Sequence, residues 1–231
     1  MIPPPALGQR VLGALTSARL VADHAERLGI GTISTIDREP ESHLGAALAD
    51  AVLQAGLNYR TVVKVRVDRI KSLFPQTARL AGILNVIRKG QVSDLLLWRH
   101  STKIDRFIGF AEFLNRHQLE DVRRLKDWLQ HRNCRDQLLT VEGIGPKTAD
   151  YLCCLVGLDC IAVDRHIRTF ASAAGVSATD YEALKTIISF AADLLGISRR
   201  DFDAWIWRQS SRRQQQAPVL ASVNSIANRN S

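Results

Sequence analysis

Lys147 and Asp164 are the residues of this 231-residue chain whose types and spacing invite a chemical reading, lying 17 positions apart in LLTVEGIGPKTADYLCCLVGLDCIAVDRH, residues 138–166. An amine with a carboxylate at hand suits nucleophilic attack on an electrophilic carbon, provided the amine can lose its proton. A free lysine has a pKa of about 10.4, so about one in a thousand is neutral near pH 7.4; lowering that pKa by three units corresponds to about 4 kcal/mol. A helix N-terminus supplies only about 0.3–1 kcal/mol. Burial, neighbouring cations or proton transfer during the reaction must supply the rest. A carboxylate beside a lysine raises its pKa, so Asp164 is better suited to stabilising cationic charge that develops on a substrate, while also N-capping a helix that starts at Arg165. The plainer alternative is a helical hairpin with a solvated lysine and a capping aspartate.

These two residues need a frame. The stretch predicts a short helix, a Gly143-Ile144-Gly145 hairpin, a helix opening at Pro146-Lys147 and an apolar run that ends at Asp164. The glycines allow a tight turn whose N–H groups can approach an anion, and Ile144 would plug the turn into the core.

Upstream, apolar residues recur at helical spacing. Val11, Leu12, Leu15, Ala18, Ala22 and Ala25 predict a helix over about 7–27 with that face inward; Leu44 to Ala55 predict a second. A loop at Gly56–Tyr59 leads to a helix burying Val63, Val67, Ile70 and Phe74, with Arg60, Lys64, Arg66, Arg69 and Lys71 on its outer face. That outer face is either solvated or a nucleic-acid contact. Further stripes follow at Leu80–Ile87, Leu95–Trp98, Ile104–Leu114, Leu119–Leu129, Tyr181–Leu195 and Phe202–Gln209. No segment alternates as a strand would, so the fold class is all-α. After Ser211 the periodicity ends, which predicts a flexible tail over 211–231.

The net charge is +8, favouring a polyanionic partner, nucleic acid before an anionic membrane. No run of 18 apolar residues exists and the N-terminus lacks a basic stretch before an apolar core, so a soluble cytoplasmic protein is expected, nucleoid-associated if prokaryotic. Cys134, Cys153, Cys154 and Cys160 follow no zinc or iron–sulfur spacing and read as buried free thiols.

VEGIGPKTADYL followed by IAVDRHI resembles the helix-hairpin-helix DNA glycosylases of the endonuclease III superfamily, in which a Gly-hydrophobic-Gly hairpin precedes a lysine and an aspartate follows an apolar run. The resemblance extends over roughly 42–212. It implies a six-helix domain over 42–158, a second helical domain from 1–41 plus 159–210, and an active-site cleft between them. It also implies a bifunctional glycosylase and AP lyase: Lys147 attacks C1′, expels the damaged base and forms a Schiff base that cuts the strand by β-elimination, assisted by Asp164.

By the same resemblance Gly143, Ile144, Gly145 and His166 contact the DNA backbone, and the main-chain carbonyls of Leu139, Val141 and Ile144 hold a structural Na+ or K+ beside a phosphate. No other cofactor is implied, and no cysteine follows Cys160, so no iron–sulfur cluster is expected. The family's intercalating glutamine falls near Gly56, leaving Asn58 or Tyr59 to fill the gap behind an extruded base. DRHI and VEGIG resemble the cluster-free 8-oxoguanine glycosylase/lyases more than the pyrimidine-specific branch. Trp98, Trp128, Trp205 and Trp207 are candidates for core or for stacking on a base. The expected partner is double-stranded DNA carrying a damaged base or abasic site, the chain acting as a monomer. The alternatives are a non-catalytic DNA-binding module that keeps the hairpin for phosphate contact, and a monofunctional glycosylase using water.

Overall fold

The structure, a computed structural model, describes residues 7–32 and 39–211; of the tail expected over 211–231, only Ser211 is among them, and the rest lies outside. Every regular element among these residues is helical. The chain divides into two compact units: one spans Arg38–Ala162, and the other takes its described residues from Met1–Asp37 and Val163–Ser231.

The continuous unit carries α2 (Leu44–Leu53), α3 (Lys64–Leu73), α4 (Leu80–Arg88), α5 (Val92–Leu96), α6 (Ser101–Arg116), α7 (Val122–Leu129), α8 (Arg132–Leu138) and α9 (Pro146–Leu155). It holds eight α-helices among the described residues where the family resemblance implied six, α5 and α8 being short. Helix α5 stops early because Leu97 turns left-handed at φ 47°. Helix α2 runs through the middle and is buried along all ten residues, packing on α3, α6 and α9. Small side chains on LGAALADAVL permit that close approach. A Cβ on Gly45, for example, would stand 2.7 Å from the Thr77 hydroxyl. Phe107, Phe110 and Phe113 of α6 supply the bulk of the core beside it.

Chain continuity between α2 and α3 is made by a π-helical turn, Tyr59–Val63, N-capped by Asn58, whose side chain accepts the Thr61 N–H at 3.1 Å. Single π turns are frequent at functional positions. Most of the basic outer face of α3 is spent internally. Lys64 pairs with Asp68 at 2.6 Å and Lys71 with Glu41 at 2.5 Å. Arg66 donates to the Leu97 and Val62 carbonyls, and Arg69 to those of Asp94 and Leu95. Two arginines thus add donors to the carbonyls of Asp94, Leu95 and Leu97 at the end of α5, of which only that of Asp94 also takes a backbone N–H among the described residues, that of Leu97.

In the other unit α1 (Leu7–Arg27) lies along α11 (Tyr181–Leu194), with α10 (Arg165–Ala173) against α1. A further helix, α12, covers 199–211. The inward face expected for α1 holds only in its second half: Ala18, Val21, Ala22 and Ala25 are buried, whereas Val11, Leu12 and Leu15 are exposed. Length accounts for this. At about 1.5 Å per residue, α1 outreaches its partner by roughly two turns. Phe170, Phe202 and Trp205 meet edge-on or stacked at 5.7–6.1 Å between centroids to close this core, with His24 against Phe170.

Candidate active site and hairpin

Backbone turns build the hairpin. Helix α8 ends as Leu139, Thr140 and Val141 bond back to Asp136, Gln137 and Leu138, and Ile144 N–H then donates to the Val141 carbonyl at 3.0 Å. Only Gly143 needs to be glycine for its backbone, at φ +77°. Gly145 is extended at φ −97°, ψ 177°, and caps α9 without a side chain. A Cβ at Gly145 would meet nothing within 4 Å, so its bareness keeps the α9 N-terminus open from outside. Ile144 is buried as a plug, and Pro146 fills the first helical position.

Lys147 follows in the first turn of α9, half-buried, with Nζ donating to Gln54 Oε1 at 3.0 Å. One turn further along α9, Tyr151 donates its hydroxyl to Asp50 Oδ1 at 2.9 Å. Asp50, in turn, is one turn before Gln54 on α2. The other carboxylate oxygen of Asp50 accepts from Tyr59 at 3.2 Å. Two antiparallel helices therefore meet through a polar ladder, Lys147–Gln54 and Tyr151–Asp50, set in an otherwise apolar contact. Nε2 of Gln54 is buried and finds no partner among the described residues.

Positive charge gathers around the hairpin. The Arg106 side chain lies directly over Gly143. Lys103 donates to the carbonyls of Val52, Leu53 and Ala55, at 2.9, 3.3 and 3.0 Å, closing the C-terminus of α2 just where Gln54 leaves it. Burial first, and Arg106 second, hold the Lys103 ammonium below the usual lysine range.

Asp164 caps α10 with Oδ1 accepting the His166 and Ile167 N–H groups at 2.7 and 3.0 Å. Its Oδ2 accepts no hydrogen bond among the described residues. It belongs to the unit that contains α10, Lys147 to the unit of α2–α9. His166, expected to meet phosphate, is 9% exposed, and its Nε2 accepts from Arg165 Nε at 3.4 Å. Arg165 is the exposed member of that pair. Asn58 is exposed at its loop, whereas Tyr59 is half-buried with its hydroxyl committed to Asp50. Among the tryptophans, Trp128 packs with Phe113 and His117 and Trp205 is core, while Trp98 lies beneath Arg66 and Trp207 is half-buried.

The carbonyls proposed for a monovalent cation differ in availability. Those of Leu139 and Ile144 accept no backbone hydrogen bond among the described residues; that of Val141 already takes the Ile144 N–H and keeps one lone pair.

A second polar cluster lies at the far end of α9. Donor atoms of Asp150, Cys153 and Cys160 lie within 4.8 Å of one another, and Arg135 sits 3.8 Å from both Asp150 Oδ1 and Cys160 Sγ. The hydrogen bond with Cys160, then burial, push the Cys153 thiol well above its usual range. Burial opposes the Arg135 charge, and the Asp150 carboxylate 3.8 Å away helps to hold the guanidinium charged. A metal here would have to displace that guanidinium and strip the proton from the Cys153 thiol. The arrangement suits a buried ion pair that ties α8 to α9.

No helix among the described residues is long and apolar enough to cross a membrane. No curated protein matches the chain. Residues 99–211, which include Lys147 and Asp164 but not Asp50 or Gln54, match a family described only as a domain of unknown function (DUF8548).

Proposed function

We propose that this protein is a DNA glycosylase with AP lyase activity, excising a damaged, oxidised base from duplex DNA. The observation that carries the reading is Lys147 itself: it stands in the first turn of α9 directly after the Gly143-Ile144-Gly145 turn, half-buried, with its amine held by a neutral amide. In this reading the unprotonated Nζ attacks C1′, and the bonding electrons of the C1′–base bond leave with the base. The C1′–O4′ bond then breaks as a proton passes from Nζ to O4′, giving the Schiff base, and loss of a C2′ proton from it expels the 3′ phosphate. Asp164 offsets positive charge on the sugar as the base departs. The open α9 N-terminus at Gly145 takes a phosphate, and a monovalent ion on the Leu139, Val141 and Ile144 carbonyls would add positive charge beside it. The net charge of +8 favours a polyanion. An 8-oxoguanine-like purine is the favoured substrate, on the resemblance of the VEGIG and DRHI segments alone.

The test is borohydride trapping on duplexes bearing an oxidised purine, an oxidised pyrimidine, uracil, mismatched thymine or an abasic site. A covalent adduct that Lys147→Gln removes is the expected result. Absence of any adduct with the wild-type protein would sink the lyase assignment. Base excision that survives Lys147→Gln would point instead to a water-using monofunctional enzyme.

A further inference from the structure

Nucleophilic attack by Lys147 needs Nζ without its proton. On α2, Asp50 and Gln54 are four residues apart and face Lys147 and Tyr151 of α9. Had Asp50 paired with Lys147, the ion pair would have held the proton on Nζ. Instead both oxygens of Asp50 are occupied, Oδ1 by the Tyr151 hydroxyl and Oδ2 by that of Tyr59. The amine meets the next rung, a carboxamide. An amide oxygen accepts a hydrogen bond from an ammonium or from a neutral amine, so it fixes the position of Nζ without fixing its charge.

We propose that Gln54 is the positioning residue of Lys147, an uncharged clasp that holds Nζ at the mouth of α9 while leaving it free to lose its proton, with Tyr59 and Tyr151 masking the neighbouring Asp50 carboxylate. The inference rests on Lys147 acting as an amine nucleophile. Its chemical content is the neutrality of the clasp: an isosteric carboxylate at position 54 keeps the geometry and quenches the amine, whereas an isosteric apolar side chain frees the charge and loses the position.

Full-length wild-type, Gln54→Glu and Gln54→Met proteins test this with two readouts. One is the pH profile, from 6 to 10, of borohydride trapping on duplex DNA with an abasic site. The other needs no DNA: the pH dependence of Lys147 reductive methylation by formaldehyde and cyanoborohydride, read by peptide mass spectrometry. For Gln54→Glu, both profiles move to higher pH by about one unit or more, giving about tenfold less reaction near neutrality and recovery in alkali. For Gln54→Met, trapping falls at every pH while the methylation profile does not move upward. A methylation profile unchanged by Gln54→Glu in a protein that keeps its helical circular dichroism overturns the proposal, as does an upward shift in Gln54→Met. If methylation shifts as expected but wild-type protein never traps DNA, the clasp stands and the nucleophile reading falls.

Discussion

His43 precedes α2 with Nδ1 accepting the Ala46 N–H at 3.2 Å, a bond that exists only while that nitrogen carries no proton. Burial is the largest cause holding its pKa below the ordinary value of 6.5, against the opposing pull of the Phe74 backbone and Glu41. A histidine whose folded pKa is depressed takes up its proton first in the unfolded chain. Its contribution to stability is therefore full above about 6.5 and is lost as pH falls through the lower folded value. Urea midpoints should decline between pH 7 and 5 in the wild type and less steeply in His43→Asn, which keeps an N-cap acceptor that does not titrate. Equal slopes would remove His43 from the acid sensitivity. The sequence shows this residue only as one polar position before the apolar stripe that begins at Leu44; choosing between adjacent polar residues as the cap depends on which side chain the surrounding helices enclose. Gln54 and Asp50 were hidden for a related reason. Their partners lie 93 and 101 residues away, and the only local trace is two polar residues four apart on a helix that is otherwise apolar.

At the scale of elements, the helices themselves were legible because each carries a 3.6-residue stripe. The use of their polar faces was not. The cations of α3 read in the sequence as either a solvated face or a nucleic-acid contact, whereas Arg66 and Arg69 finish α5, because a short helix ending in a left-handed residue leaves carbonyls with room for donors. The two hairpin glycines, indistinguishable in sequence, have different jobs. Gly143 has a left-handed backbone, so Gly143→Ala should cost about 1–2 kcal/mol in urea unfolding. Gly145 is extended with open space beside it, so Gly145→Ala should stay within about 0.5 kcal/mol of wild type. Its methyl would instead cover the α9 N-terminus, and affinity for duplex DNA at fixed salt should fall. Undiminished affinity in Gly145→Ala would mean that no phosphate approaches there.

At the scale of the molecule, the two units are built by different rules. The unit of α2–α9 is one continuous segment with its own core, from Leu44 through Phe107, Phe110 and Phe113 to Ala162. The other unit closes only when α1 finds α11, more than 150 positions further on, so it bears a larger loop-closure cost before any burial repays it. Ala18, Val21, Ala22 and Ala25 then cover a face of α11 that includes Leu184, Ile188 and Ala191, all of them buried. A fragment spanning Arg38–Ala162 should therefore fold with a single cooperative transition. A chain lacking residues 1–29 should keep slow amide exchange through α6 while losing it through α10 and α11. Tryptophan emission should follow the same division. Trp205, at 4% exposure in the unit that α1 completes, becomes solvated, whereas Trp128 stays against Phe113 and His117. Loss of protection in α6 together with α11 would instead show that the continuous unit depends on its neighbour to fold, and the Lys147–Gln54 clasp would then form only once both units had folded.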